Sequence, residues 1–209
     1  MDVPMDKLAG DFKDSNLVTA RTLKTFINGD ACSYTGQWLD DEPSGWGKLE
    51  REDFIYEGFF SGGAMQTYGR FVYLEQGKEV KTYYGLHQNG KFEFFGKLDD
   101  EKITFTGSFL DGEMRTGELF YKDNGQKYVG SFLNNLPQGN GKLTFKNGSF
   151  FEGGFHHGKF HDKGIFKSIS NECLEGSWVY GIKTGFFNRN RLNGVICKEK
   201  YDHDEFQFV

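Results

Sequence analysis

Three histidines, His156, His157 and His161, with Asp162 beside the last, cluster within seven residues of the 209-residue sequence and are of types that could ligate a metal. A zinc site needs three or four such ligands converging on one point. His156 and His157 are adjacent, so a strand would turn them to opposite faces, and no matching Cys or His lies near in sequence. They read as solvated histidines in or beside a hairpin turn, with no metal and no other cofactor. Cys32, Cys173 and Cys197 are odd in number and widely spaced. They form neither a disulfide framework nor a CxxC pair, and a reduced compartment fits them. A nucleophilic cysteine needs an oriented base, and nothing in sequence pairs any of the three with a histidine, so they read as small apolar residues. Asp40-Asp41 and Asp99-Asp100 fall in predicted turns or linkers, where solvation explains them better than acid–base work. The phosphate-loop pattern GxxxxGK[ST] is absent. No residue is assigned a catalytic role, and the chain is expected not to be an enzyme.

The charge is uneven. Residues 1–138 carry 15 Lys/Arg against 22 Asp/Glu, whereas residues 139–200 carry 10 against 5. Lys142, Lys146, Lys163 and Lys167 are expected to project from one face of adjacent strands, with Lys159 and Lys183 nearby in turns. Such a patch would suit an anionic lipid headgroup or an acidic protein segment. Nucleic acid is not expected: the net charge is −5, and the aromatic rings look committed to a core rather than displayed for stacking.

What must position these residues is β structure. The chain holds 23 Phe, 10 Tyr, 3 Trp and 29 Gly but only 3 Pro. Aromatics favour strands, and Gly weakens helices. No apolar run reaches the length of a membrane helix. The start, MDVPMDKLAGDF, lacks the basic and apolar stretches of a signal peptide. The expected setting is therefore cytoplasmic.

One unit recurs: aromatic, any residue, Gly, any residue, aromatic, then a turn and a Gly-rich strand. The copies bring together Tyr34, Gly36 and Trp38; Tyr56, Gly58 and Phe60; Tyr83 and His87; Phe105, Gly107 and Phe109; Tyr128, Gly130 and Phe132; Phe151, Gly153 and Phe155; and Leu174, Gly176 and Trp178. Their starts are 22, 27, 22, 23, 23 and 23 residues apart. A fixed period of this size marks a repeat architecture. In the copy YVGSFLNNLPQGNGKLTFKNG, residues 128–148, Tyr128, Gly130 and Phe132 share one face of a strand. After a turn at NNLPQ, Gly139, Gly141, Leu143 and Phe145 alternate on the return. Rings of one strand can then lie over glycines of the next. Asn140, Lys142, Thr144 and Lys146 face the other way, giving one aromatic and one wet face.

The copies depart from one another at identifiable points. His87 replaces an aromatic, and the 27-residue spacing implies a longer connection around LEQGKEVKT. Copy four has a turn one residue shorter. Asp162 stands at a glycine position, and Phe187 occupies another. Residues 1–20 read as an N-terminal extension, 21–201 as the repeat sheet with half-repeat caps at RTLKTFING and VICKEKY, and 202–209 as an acidic tail.

YTGQWLDDEPSGWGKL and YVGSFLNNLPQGNGKL resemble the MORN repeat, roughly YxGxWxxGxxxGxGxxxxxxG; FEGGFHHGKFHDKGIF and LEGSWVYGIKTGFF match it less fully. The resemblance covers about residues 21–200. It implies an all-β fold: an elongated, open, single-layer antiparallel sheet of about seven stacked hairpins, twisted and groove-like. It also implies a non-catalytic scaffold or structural subunit in a cytoskeletal or ciliary setting. The partners so implied are other proteins, bound as a helix or extended segment in the groove or by edge-strand pairing, including a second copy. The alternative is a peripheral membrane protein that binds anionic phospholipid through its basic patch.

Overall fold

A computed structural model describes residues 18–27, 30–88, 90–191 and 194–207. Among them every regular element is a strand. β1 spans Val18–Ile27. Seven hairpins follow: β2 Asp30–Leu39 with β3 Glu42–Glu50; β4 Phe54–Ser61 with β5 Ala64–Glu75; β6 Lys78–Gln88 with β7 Lys91–Asp100; β8 Ile103–Leu110 with β9 Glu113–Tyr121; β10 Gln126–Leu133 with β11 Leu136–Thr144; β12 Phe150–His156 with β13 Lys159–Lys167; and β14 Cys173–Val179 with β15 Ile182–Asn190. β16 Ile196–Asp202 and β17 Glu205–Gln207 close the series. Each strand pairs antiparallel with the next in sequence, from β1 to β17, in one open sheet.

The hairpins close through two-residue turns with both central residues at positive φ, as at Asp40-Asp41, Asn134-Asn135, His157-Gly158 and Tyr180-Gly181. Such turns match the twist of the flanking strands. Most hairpins then carry a bulge on the returning strand. In β11 the register slips between Gly130 and Ser131, and Gly139 sits at φ 70°. This corrects the expected alternation: Gly139 is the bulge, and β11 ends before Phe145. In β5, β7 and β13 the same position is filled by Thr67, Phe94 and Asp162, also at positive φ. Copy four lacks a positive-φ residue there, as its shorter spacing requires.

The packing rests on a ladder of glycines. Gly36, Gly47, Gly58, Gly69, Gly85, Gly96, Gly107, Gly117, Gly130, Gly141, Gly153, Gly164 and Gly176 face one another in succession from β2 to β14. The first ring of each hairpin folds over the glycines. A Cβ on Gly36 would lie 2.5 Å from both the Gly47 Cα and the Tyr34 hydroxyl. In the seventh hairpin the roles swap: Phe187 of β15 covers Gly176 and is itself fully buried, which explains why the sequence has Leu174 and Phe187 where a ring and a glycine were expected.

Most first rings also meet the second ring of their own hairpin and of the next. Tyr34–Phe60, Tyr83–Phe109, Phe105–Phe132, Tyr128–Phe155 and Phe151–Trp178 have centroids 4.8 to 5.3 Å apart, edge to face. Edge-to-face pairs contribute about 0.5–1.5 kcal/mol each beyond burial. One continuous core thus runs from Cys32 to Tyr201, stabilised hairpin by hairpin.

The 27-residue spacing is not a loop. It is a longer hairpin, β5–β6, with its turn at Gln76-Gly77. At the ends, residues 18–20 lie in β1 rather than in an extension, because Val18 pairs with Trp38. Residues 205–207 form β17 rather than a tail, because a positive-φ turn at His203-Asp204 returns the chain onto β16. The remaining extension, 1–17, and residues 208–209 lie outside the described residues.

Candidate functional site

The ring face carries a groove of about 900 Å³ across the first three hairpins. Buried Tyr34, Trp38 and Phe60 lie in its wall together with Phe54, Met65 and Phe94, and Asp41 and Arg51 lie along it. The Tyr34 hydroxyl donates to the Gln37 carbonyl at 2.9 Å, and that of Tyr56 to Phe59 at 3.1 Å. Burial pushes the Tyr34 phenol up to about 12, so these rings are neutral donors. The groove is apolar with few charges, which suits an apolar segment of a partner.

His87 departs from the pattern at the wall of this groove. It occupies the second-ring position of the third hairpin, 5.3 Å from Tyr56 and 4.8 Å from Phe71 between centroids. It is 5% exposed, and neither ring nitrogen has a hydrogen-bond partner. Burial lowers its pKa, so the imidazole is held neutral.

The opposite face was expected to be wet. It is not uniformly so. Trp46, Phe59, Tyr68, Tyr84 and Phe95 are 38% to 65% exposed there. Each is adjacent in sequence to a buried ring or to a ladder glycine, and alternation in a strand turns it outward. The signal was present in the sequence: in Phe59-Phe60 and Tyr83-Tyr84 the two neighbouring rings cannot both enter the core. At Phe94-Phe95 the bulge intervenes, and both rings are 65% exposed.

The six lysines are only partly assembled. Lys142, Lys163 and Lys167 line a shallow furrow of about 1020 Å³ on the outer face, together with Glu152 and Glu175. Lys142 lies 3.5 Å from Glu152 and 3.8 Å from the centre of the Phe150 ring, so its charge is partly engaged. Lys159 sits at the turn end of β13. Two placements correct the expected patch. Lys146 lies in the turn after β11, where Gly148 N–H donates to the Phe145 carbonyl. Lys183 pairs with Trp178 on the ring face, over the Tyr201 ring and 3.7 Å from Asp204.

The histidines do meet. His157 is in a turn rather than a strand, and its ring centroid is 4.3 Å from that of His156; His156 is 5.2 Å from His161. The Tyr180 N–H donates to His161 Nδ1 at 3.3 Å, and Gln138 Nε2 lies 3.1 Å from His156 Nδ1. Among the described residues no group of three or more His, Cys, Asp or Glu is arranged to hold a metal ion. Cys32 is buried in β2, and Cys173 and Cys197 are partly buried; all three are free thiols. Asp99 and Asp100 lie at the end of β7, where Asp100 accepts from the Lys102 and Ile103 N–H groups. A hydrogen bond from Thr104 holds Asp99 below the usual carboxylate range.

The core ends on a polar cluster that sequence reading missed. Glu199, 7% exposed, accepts from Arg189 Nε at 2.6 Å and from the Tyr201 hydroxyl at 2.7 Å. The guanidinium lowers the Glu199 pKa. Nothing in KEK marks the glutamate as inward-facing until the register Phe187–Glu199 is known.

The MORN repeat family model matches residues 34–53, 128–150 and 151–171. These are the first, fifth and sixth hairpins with their following connections. Alsin from Homo sapiens, from Mus musculus and from Pan troglodytes is each 27% identical over 159 residues, covering 61% of this chain. The chain spans about a tenth of the length of these relatives. Among the described residues no helix is long and apolar enough to cross a membrane.

Proposed function

Because the chain carries MORN repeats, we propose that it is a non-catalytic scaffold or structural subunit that binds other proteins through its extended sheet. The observation that carries this reading is the ring-lined groove of about 900 Å³ across the first three hairpins. Its apolar wall suits a helix or an extended segment. The terminal strands offer a second mode, pairing with a partner strand or a second copy. The proposed setting is a cytoplasmic assembly of cytoskeletal or ciliary type. Affinity capture from native cells followed by mass spectrometry tests this. Reproducible recovery of tubulin or axonemal proteins is expected; recovery of no protein above a tag-only control would contradict it.

A second reading has one supporting observation, the outer-face furrow with Lys142, Lys163 and Lys167. Clustered lysines near a surface attract anionic lipid headgroups. Co-sedimentation with phosphoinositide-containing liposomes, lost on reversing those three charges, would support it. No binding at low salt would remove it.

A further inference from the structure

One step from the glycine ladder, toward the turns, runs a row of outward side chains: Trp46 on β3, Phe59 on β4, Tyr68 on β5, Leu86 on β6 and Phe95 on β7. Trp46 faces Phe59, Tyr68 faces Leu86, and Phe95 faces Ser108 of the next hairpin. Across β8 to β12 the row is small and polar. Ser108 faces Thr116, Thr116 faces Ser131, and Asn140 faces Gly154. Alternation accounts for outward rings but not for their run along consecutive strands; the row next carries a ring at Phe186 on β15, 53% exposed, with Lys198 over it.

We propose that this row, on the face opposite the packed rings, binds a proline-rich segment in the polyproline-II conformation. Three observations point to that occupant. The first is spacing. Trp46, Tyr68 and Phe95 stand on alternate strands, about 9.6 Å apart. A polyproline-II helix repeats every three residues, roughly 9.3 Å, so one pyrrolidine face per turn can meet successive rings. The second is hydrogen-bond sign. Polyproline II leaves its carbonyls unbonded and has few N–H groups to offer. The row presents donors: the Trp46 indole N–H and the Tyr68 hydroxyl. Beside it, Tyr84 accepts from Arg70 Nε at 3.0 Å, which leaves its own proton to donate. The third is charge. The neighbouring row carries Lys48, Arg70, Lys97 and Glu57, aligned across β3, β4, β5 and β7. Arg70 engages Glu57 at 3.2 Å. Lys48 engages Glu50 at 2.6 Å; within the row itself three cations stand against one carboxylate, so acidic residues flanking the prolines are favoured.

The inference rests on the reading of the chain as an interaction scaffold and names the partner class. Its test is titration of the full chain with decaproline by calorimetry and tryptophan fluorescence. Arms carrying two C-terminal glutamates or two lysines report the charge preference, and a Gly-Ser peptide of equal length serves as control. Decaproline is expected to bind with Kd below about 1 mM, more tightly with glutamates than with lysines. Trp46→Ser combined with Phe95→Ser is expected to weaken binding tenfold or more with an unchanged melting profile, and Ile165→Ser, on the distant outer face, is expected to leave it unchanged. Should the double variant unfold, Phe95→Ser alone, at the most exposed ring of the row, carries the test. Absence of decaproline binding, equal binding of the Gly-Ser peptide, or binding indifferent to Trp46 and Phe95 would overturn the proposal. If native capture still recovers partners in those cases, the scaffold reading stands and the proline reading falls; if capture recovers nothing, the scaffold reading has failed.

Discussion

The strands from β3 to β7 and those from β8 to β14 share one glycine ladder and one layer of interlocked rings, yet their outer faces differ. The first set shows Trp46, Phe59, Tyr68 and Phe95 to solvent, and the second shows Ser108, Thr116, Ser131 and Asn140 in the same row. The groove on the ring face follows the same division, about 900 Å³ over the first three hairpins against about 350 Å³ near the seventh. The residues that build the sheet are therefore distributed evenly, while the exposed rings of this one row are concentrated in the first set. Uniform architecture and local specialisation are separable because alternate positions of a strand serve opposite faces.

The largest expected effect tests the shared part. Gly58→Val drives a side chain into the Tyr56 ring and the Tyr68 carbonyl, and Gly141→Val drives one into the Tyr128 ring; each is expected to destabilise by about 4 kcal/mol or more. Equal losses in the two halves, measured by denaturant unfolding, sharpen the comparison. A tolerant glycine in either half would break it. A difference in cooperativity between halves would also show, since repeat arrays unfold by near-neighbour terms.

The next effect is confined to the first half. His87→Phe supplies the ring that Phe60, Phe109, Phe132 and Phe155 supply elsewhere and removes two unbonded buried nitrogens. It is expected to stabilise by about 1–3 kcal/mol. Burial lowers the folded pKa of His87, so the unfolded chain binds a proton first. The penalty is absent above about pH 6.5 and grows as pH falls from there to the lowered folded value. That stretch of pH dependence is expected to vanish in the variant. Destabilisation by His87→Phe at neutral pH would show that the nitrogens have a role the packing does not reveal.

At the far end, Glu199→Gln removes the charge that Arg189 and Tyr201 hold, and is expected to cost about 1–2 kcal/mol. The folded pKa of Glu199 is lowered, so its contribution is complete above about pH 4.3 and is lost as pH falls through the lowered value. Thermal melts of wild type and variant converging at low pH check this. The smallest effect is expected at Phe95→Ser, within about 0.5 kcal/mol, because that ring is 65% exposed. A larger loss would place the outer row among the supports of the fold and end its separation from the ladder.

Much of the sheet was legible in the sequence because its period is carried by types with one physical use. Tyr34, Tyr56 and Tyr128 need a glycine beneath them, and Gly47, Gly69 and Gly141 come at the spacing a hairpin gives. What was not legible depends on registers a single strand does not reveal. The bulge at Gly139 ends the simple alternation. Lys146 and Lys183 left the expected patch because one falls in a turn and the other faces the rings. The outward rings are readable from Phe59-Phe60 and Tyr83-Tyr84, whereas ring content alone assigns them to the core. Glu199 becomes a core residue only through pairing with Phe187.

The measurement closest to the central claim is small-angle X-ray scattering of the full chain. Seventeen strands at about 4.8 Å span about 77 Å as a flat ribbon, so a radius of gyration well above the roughly 17 Å of a compact chain of this length is expected. A value near 17 Å would mean that the two regions fold onto each other, and the single open sheet would be wrong.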